Sequence, residues 1–481
     1  MNTAHVNTAQ EIRELERAIE RIVGKALAMG LDPFPMRYEI CPAEIIYTFG
    51  AYGMPIRFSH WSFGKAFHRM KMSYDYGMSK IYELVINSDP CYAFLLETNS
   101  LLQNKVIAAH VLAHSDFFKR NWRFQGTNRQ MVWTMAAFAE RVRRYEQRYG
   151  RDRVERFLDA ALALHEQIDP FPARQGRQER PEGQGPEDRQ GDPGGRGSRE
   201  RGADPRDPYR DLWDLDRHLP GGAEARPLEP APPEEPRPPA RCRDLLLFLM
   251  EKAPDLEDWQ RDILSSIRAE ALYFRPQMET KILNEGWASF WHARILRELD
   301  LTPEESVEFA RLHAAVLAPN PYHLNPYHLG FYLLTRLEEK HGLEKLFEIR
   351  ELETDVSFLR NYLDEQAVEE LDLYLYRKEG DGYRVTAAHR EWEAVRDGIV
   401  RLITNGGVPY IYAEDHDFGK RGELHLTHGY EGVELDTHYL TRTLPHVHHI
   451  WGRPVHLDTV EDGRQVRYTC TGEGQVERKV L

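Results

Sequence analysis

The stretch IAAHVLAHSDFF, residues 107–118, decides how the rest of the sequence is interpreted. Its two histidines, His110 and His114, are four residues apart, so on a helix they lie on one face, one turn above the other. This is the spacing with which a helix holds Zn²⁺ in the pattern H-E-x-x-H. Val111 stands where that pattern has its glutamate. The sequence therefore offers two metal ligands without the usual general base beside them.

The segments around this stretch predict two strands followed by a long helix. The runs IYELVIN and CYAFLLE, which start at Ile81 and Cys91, are typical of strands and are separated by an S-D-P turn. The helix that follows starts near Leu101 and carries both histidines. Apolar periodicity predicts further helices over residues 9–29, 130–149 and 154–165. The prolines of DPFPMRYEICP predict a break after the first of these.

Composition divides the chain into four parts. Residues 1–169 and 241–370 are mainly helical in pattern and are interpreted as two segments of one core. Between them, residues 170–240 are rich in Pro, Gly and charged residues and nearly free of apolar ones, which predicts a disordered insertion. Residues 371–481 alternate apolar and polar residues around one helix. The predicted fold class is α+β, mainly helical, with a small C-terminal α+β domain.

The overall composition favours a cytoplasmic protein. With 63 basic and 77 acidic residues the net charge is −14, which gives no general attraction to nucleic acid or to a membrane surface. The sequence shows no apolar run that could span a bilayer and no signal peptide at its N-terminus. The four cysteines form no C-x-x-C pair, which is typical of a reducing compartment.

A third metal ligand is predicted in the segment TKILNEGWASFWHARI. A catalytic zinc site needs about three protein ligands and an open position for water, and Glu285 is the best candidate for the third. Gly286 follows it and would let another backbone approach closely, while His292 shares its helical face. The alternatives are a capping network of Glu285 with Asn284, and histidines that hydrogen-bond within a core.

The two metal-ligand segments resemble known enzymes. AHVLAHSDFF resembles the A-H-E-L-A-H-Q-W-F stretch of gluzincin aminopeptidases, and LNEGWASFW resembles their L-N-E-G-F-A-S-Y stretch, whose glutamate is the third zinc ligand. The resemblance implies a zincin-like metallopeptidase core with Zn²⁺ on His110, His114 and Glu285. The sequence departs from that family at Val111 and in the much longer interval between the two segments.

Longer segments carry a second resemblance that covers nearly the whole chain. They are YEICPAEIIYTFGAYGMPIRFSHWSFGKAF, YELVINSDPCYAFLLETNS, VIAAHVLAHSDFFKRNWRF, ILNEGWASFWH, NPYHLG and ITNGGVPYIYAEDHDFGKRGELHLTH. In this order they resemble the stage V sporulation protein R (SpoVR) family. The resemblance implies a bacterial cytoplasmic protein linked to formation of the spore cortex. It also implies, as partners, a serine protein kinase with an AAA-type ATPase domain and a von Willebrand A-like protein.

A catalytic site at the histidine pair would need another group to take a proton from water. Glu97 is the first candidate, because it ends the second predicted strand just before the metal helix. Glu44 is another, and Asp116 is interpreted as a partner that orients a ligand or balances the charge of the helix. Each of these could instead be an ordinary solvated or capping acid.

Two further groups of polar residues stand out. Tyr327 and His328, in the near-repeat NPYHLNPYHLG, are candidates for stabilising a developing oxyanion, as is His323. The alternative is a turn at whose surface these side chains pack. In PHVHHIWGRPVHL, a strand would place His446 and His448 on one side and the next histidine on the other. That arrangement favours an edge strand or a partner surface over a metal cluster.

These patterns support two hypotheses of different classes. In the first, Zn²⁺ held by His110, His114 and Glu285 would polarise a carbonyl and activate water to hydrolyse an amide or peptide bond. In the second, the chain is a non-catalytic regulatory scaffold that retains a degenerate metalloprotease fold and acts with the serine protein kinase. The ligand trio favours the enzyme, and Val111 favours the scaffold.

Overall fold

The computed structural model of the chain describes residues 9–76, 83–171, 241–319, 323–379, 382–472 and 474–481. The described chain is mainly helical and contains a three-stranded, a five-stranded and a two-stranded sheet. This confirms the α+β class. Almost all of the insertion predicted over residues 170–240 lies outside the described residues.

The helices and strands follow one another in the order given by their bounds. The helices are α1 (Ala9–Ala28), α2 (Ala43–Tyr52), α3 (Trp61–Asp75), α4 (Leu101–Arg120), α5 (Met131–Tyr149), α6 (Arg151–Ala163), α7 (Leu245–Lys252), α8 (Asp258–Glu279), α9 (Lys281–Arg297), α10 (Pro303–Val316), α11 (Pro326–His341), α12 (Leu343–Leu352), α13 (Asp355–Tyr362), α14 (Glu365–Glu370), α15 (Trp392–Ile403) and α16 (Thr437–Trp451). The strands are β1 (Met36–Cys41), β2 (Glu83–Ile86), β3 (Cys91–Leu96), β4 (Leu375–Glu379), β5 (Gly382–Ala387), β6 (Ile411–Phe418), β7 (Glu423–His428), β8 (Val455–Glu461), β9 (Arg464–Gly472) and β10 (Gln475–Val480).

The N-terminal sheet has the strand order β1-β3-β2. The predicted strands β2 and β3 are present and pair antiparallel. The prolines after α1 were expected only to break that helix, but β1 begins directly after them and pairs parallel with β3, with Met36 opposite Cys91. Pairing with a distant strand supplies the hydrogen bonds of β1, so short-range periodicity did not indicate it.

The helix α9 lies between α4 and α11, with which it makes its most extensive contacts. Gly286 and Gly330 meet where α9 crosses α11, and a Cβ atom on Gly330 would lie 2.2 Å from the carbonyl oxygen of Ile282. The sequence predicted that Gly286 would let another backbone come close, and the backbone of α11 does so at this crossing. The crossing of these two helices brings the N-terminus of α11 over the face of α9 that also contacts α4.

A buried carboxylate on α13 holds the N-terminus of α9. Asp355 accepts hydrogen bonds from the backbone N–H groups of Ile282 (2.8 Å) and Leu283 (2.9 Å), which have no partner within their own helix. Burial raises the pKa of Asp355 to about 7, although these two donors and the charge of Lys281 oppose the rise. The contact fixes the position of α9 one turn before Glu285.

The C-terminal sheet has the strand order β10-β9-β8-β7-β6, with β7 and β8 parallel and the other neighbours antiparallel. Its apolar side chains share one hydrophobic cluster with α5, α6, α7, α8 and α16. Residues 9–171 and 241–481 accordingly belong to one compact unit. None of the helices in the described ranges is both long enough and apolar enough to cross a membrane.

The strand expected around His446 and His448 is wrong, because these residues lie on α16. Asp436 caps this helix by accepting hydrogen bonds from the backbone N–H groups of its first turn. Its buried side chains recur at helical spacing and include Leu440, Leu444, Val447, Ile450 and Trp451. The strand begins only at Val455, after the left-handed Gly452 has ended the helix.

Candidate metal centre

The helix α4 presents His110 and His114 inside the protein. It starts at a capping box in which Ser100 and Gln103 satisfy each other's backbone N–H groups. From Leu102 to Phe118 most of its residues are buried, because α1, α9 and β3 cover it on several sides. The centroids of the two imidazole rings are 4.6 Å apart, and each histidine is only 6% exposed. The predicted helical pair is therefore a buried pair.

Glu285 on α9 completes the predicted trio. Its Oε2 atom lies 3.5 Å from Nε2 of His110 and 3.3 Å from Nε2 of His114. One ligand atom from each of the three residues lies within 4.8 Å of the other two. The structure thus brings together, from segments on either side of the insertion, the three residues that the sequence predicted as ligands.

The hydrogen bonds around the trio fit a cation. Nδ1 of His114 lies 2.9 Å from Oδ1 of Asn284, an acceptor, so this nitrogen carries a proton, and in the neutral ring Nε2 is the nitrogen with the lone pair. Nδ1 of His110 lies 2.9 Å from Nδ1 of His292, and either ring can be the donor. Oε2 of Glu285 is buried and accepts no hydrogen bond. The two Nε2 atoms and this carboxylate oxygen face one another in a buried space, which is a site that a divalent metal ion would satisfy.

Metal ligation requires neutral imidazoles and an ionised carboxylate, and the pKa values of His110 and Glu285 are shifted in these directions. Burial lowers the pKa of His110 and holds the pKa of His292 well below its usual range. Burial alone would raise the pKa of Glu285, but His114, His110 and Lys281 together hold it well below its usual range. Lys281, one turn earlier on α9, pairs with the other carboxylate oxygen, Oε1.

Tyr327 lies beside the ligand His110, and its predicted role as an oxyanion donor stays a prediction. Its ring stacks on that of His110 with centroids 6.1 Å apart and planes inclined by 23°, and Nζ of Lys281 is 5.9 Å from its centroid. The side chain of Asn325 caps α11 by accepting from the backbone N–H groups of Tyr327 and His328. This cap and the crossing at Gly330 place Tyr327 over α4.

His328 and His323 have other surroundings. His328, about a third of a helical turn beyond Tyr327, lines a cavity of about 760 Å³ together with Phe331, Tyr332 and Arg336. Burial lowers its pKa. His323 is exposed in the segment before α11. Of the three residues predicted from the near-repeat, Tyr327 is the one seen stacked on a ligand.

The predicted proton acceptors lie outside the group of ligand atoms. Glu97 follows β3, where its backbone N–H donates to the carbonyl of Cys41 (2.9 Å). Burial raises the pKa of the Cys41 thiol, and the charges of Glu39 and Glu97 add to this rise. Glu44 is exposed in the first turn of α2. Their catalytic roles stay predictions.

Asp116 has a structural task. It is fully buried and accepts from Nη1 of Arg350 (2.8 Å to Oδ1), from the indole of Trp287 (2.9 Å to Oδ2) and from the backbone N–H of Asp32 (2.8 Å to Oδ1). These contacts connect α4 to α9, to α12 and to the segment after α1. Asp116 therefore holds the two metal-ligand helices together. Burial raises the pKa of its carboxyl, although Arg350 and the backbone N–H of Asp32 oppose the rise.

Val111 is part of an apolar cluster that lies against the N-terminal sheet. It is completely buried with Ala93 and Leu95 of β3, Leu15 of α1 and Ile107 of α4. One residue beyond His110 the helix has turned by about 100°, so this side chain packs beside the strand. A carboxylate here would be buried among aliphatic groups, which is costly without a partner.

Comparison with known proteins agrees with the longer of the two resemblances. The family description "SpoVR like protein" matches residues 9–408, and "SpoVR-like C-terminal domain" matches residues 409–462. The chain belongs to the SpoVR family. A protein of Escherichia coli (strain K12) named "Uncharacterized protein YcgB" is 32% identical to this SpoVR protein, over 90% of this chain and 89% of its own length.

Family membership supports an association of this SpoVR protein with sporulation. The comparison with solved structures found no match. The gluzincin resemblance therefore rests on the two ligand segments and on the convergence of their three side chains. For this SpoVR protein, a zincin-like core remains a proposal.

Proposed function

We propose that this SpoVR protein is a cytoplasmic zinc protein that acts in spore cortex formation through a centre made of His110, His114 and Glu285. The observation that carries the proposal is the convergence of two Nε2 atoms and one carboxylate oxygen within 4.8 Å, while the Nδ1 atom of each histidine has a hydrogen-bond partner. Two imidazoles and a carboxylate are a ligand set of catalytic zinc sites.

The first form of the proposal is a zinc-dependent amide or peptide hydrolase. Zn²⁺ bound to these residues would polarise a carbonyl and lower the pKa of water to about 7. The phenol of Tyr327, whose ring stacks on His110, would donate a hydrogen bond to the developing oxyanion. Glu97 remains the first candidate for proton transfer. A muropeptide from the cortex and a cytoplasmic protein are the two substrate classes that fit this chemistry.

The second form is a regulatory scaffold, and the packing of Val111 favours it. The position of the usual general base is filled by a buried aliphatic side chain that contacts β3. In this form the metal ion would be structural and would hold α4 to α9, two helices on either side of the insertion. The partners would be those expected from the family resemblance, the AAA-type serine protein kinase and the von Willebrand A-like protein.

Elemental analysis of the purified full-length protein tests the centre itself. We expect about one zinc ion per chain, as in known three-ligand sites, and loss of that ion in both His110→Ala and Glu285→Ala, because each variant leaves two ligands. His328→Ala, on the same helix as Tyr327 but outside the ligand group, is the matched control and should keep its metal. Wild-type protein that stays metal-free after dialysis against Zn²⁺ would refute the centre.

Replacement of Tyr327 by phenylalanine separates the two forms of the proposal. The variant keeps the ring that stacks on His110, so folding and metal content should match wild type. An oxyanion donor contributes a factor on the order of 10²–10³ to kcat, so amide release from a muropeptide mixture should fall to that extent. In a strain without the native protein, normal cortex formation with Tyr327→Phe and Glu97→Gln, but not with His110→Ala, would point to the scaffold.

A further inference from the structure

Three histidines from three helices form a row that starts at a proposed metal ligand. Nδ1 of His110 on α4 lies 2.9 Å from Nδ1 of His292 on α9, and Nε2 of His292 lies 2.9 Å from Nδ1 of His313 on α10. His292 is only 2% exposed, and His313 is partly exposed. The row therefore runs from the buried centre toward the outside of the molecule.

Ring–ring hydrogen bonds of this kind allow only two proton arrangements. A neutral imidazole has one N–H donor and one acceptor nitrogen, so His292, the middle ring of the row, donates to one neighbour and accepts from the other. His292 is buried and uses both of its ring nitrogens in these contacts, so one proton on it serves one contact as the donor and leaves the other nitrogen as an acceptor.

In the first arrangement, Nδ1–H of His110 donates to His292, and Nε2–H of His292 donates to His313. Nε2 of His110 then carries a lone pair that points toward Oε2 of Glu285, and it can bind a metal ion. In the second arrangement, Nδ1–H of His313 donates to Nε2 of His292, and Nδ1–H of His292 donates to Nδ1 of His110. The proton of His110 then lies on Nε2, where it excludes the metal ion. Each ring holds one proton in either arrangement.

We propose that His292 and His313 are positioning residues which set the tautomer of His110, and that metal binding reverses both hydrogen bonds of the row. On metal binding the proton on Nε2 of His110 is released to solvent and the ion takes its place. Nδ1 of His110 takes the proton of His292, Nε2 of His292 takes that of His313, and Nε2 of His313 takes one proton from solvent, so the row neither gains nor loses a proton. This inference rests on the proposed metal centre. It connects the ligand His110 to α10, a helix that supplies none of the three metal ligands.

The side chains around the row support this role. His313 also contacts Phe309 of its own helix and Phe331 of α11, which fix its ring from two sides. The helix α10 docks on α4 through the ion pair of Lys105 with Glu305 (2.6 Å). Partners that orient a ligand in this way typically change metal affinity by about 10–100-fold when they are removed.

Zinc affinity of full-length variants, measured with a chelator as competitor, tests the first link. His292→Phe keeps a ring but removes the acceptor for His110, and it should bind Zn²⁺ about 10–100-fold more weakly than wild type. His292→Asn is the matched variant, because its Oδ1 can stand where Nδ1 of the imidazole was, and it should bind within a few-fold of wild type. Equal affinity of His292→Phe and wild type would overturn the inference.

Nitrogen NMR of wild-type protein labelled with ¹⁵N-histidine tests the reversal itself. Addition of Zn²⁺ to metal-free wild type should move the proton of His313 from Nδ1 to Nε2, with His313→Phe used to assign its signals. If zinc binds but His313 keeps one tautomer throughout, the inference fails and the metal centre stands. If wild type binds no zinc, the metal centre fails and the inference fails with it.

Discussion

Gly330→Ala is expected to lower the stability of this SpoVR protein by about 3 kcal/mol, the upper end of the usual cost of overpacking. The new Cβ would lie 2.2 Å from the carbonyl oxygen of Ile282 and 2.7 Å from Cα of Gly286. Both are backbone atoms, which cannot rotate away, so α9 and α11 would have to separate. Because Tyr327 and Glu285 lie on these two helices, zinc affinity should fall as well. Urea unfolding and chelator competition measure the two effects.

Gly24→Ala is the matched control for this substitution. Gly24 lies within α1, and a Cβ there would meet no atom within 4 Å. Alanine is a better helix former than glycine by about 1 kcal/mol, so this variant should unfold at the same or a higher urea concentration and bind zinc normally. An unfolding midpoint of Gly330→Ala equal to that of wild type would show that the helix crossing tolerates a side chain.

Asp116→Ala is expected to be as damaging, at a cost of about 3–5 kcal/mol. It would leave Arg350, which is 3% exposed, as a buried charge without its main partner. It would also remove the acceptor for the indole of Trp287, next to the metal-ligand segment of α9. Thermal unfolding of metal-free protein measures the effect without a contribution from zinc binding.

Two comparison variants make the Asp116 result specific. The exposed ion pair of Glu140 with Arg143 should contribute less than about 1 kcal/mol, so Glu140→Ala should hardly change the unfolding temperature. The double variant Asp116→Ala with Arg350→Met removes the stranded charge and should recover part of the loss. A similar small loss for Asp116→Ala and Glu140→Ala would contradict the structural role given to Asp116.

Much of the candidate site could be predicted because its parts are local. The spacing of His110 and His114 has the same meaning in any helix, and the strands β2 and β3 are bounded by a turn that the sequence marks. Glu285 was predicted from its helical segment, in which Gly286 follows it, and the resemblance of that segment to a known ligand segment agreed. Each of these features depends on residues that are close together in the chain.

Other features of the site follow from long-range packing. His292 and His110 are 182 residues apart, and His313 joins them because α10 docks on α4. Tyr327 could be proposed only as one of several polar residues, since its place over His110 depends on the helix crossing at Gly330. The strand β1 was missed because its hydrogen-bond partner is in β3. His446 and His448 suggested a strand, but the capped, apolar-periodic segment around them formed α16.

For this SpoVR protein, the sequence alone determined the family, the α+β class and the identity of the three candidate ligands. The family, the fold class and the candidate ligands are indicated by residue types at short spacings, which can be seen directly in the sequence. Three further features became visible when the helices were seen packed together: the three ligands converge, Val111 packs against β3, and a row of histidines extends from His110. The physical reason is that burial and side-chain contacts between α4, α9, α10 and α11 depend on how separate helices dock, which no single segment encodes.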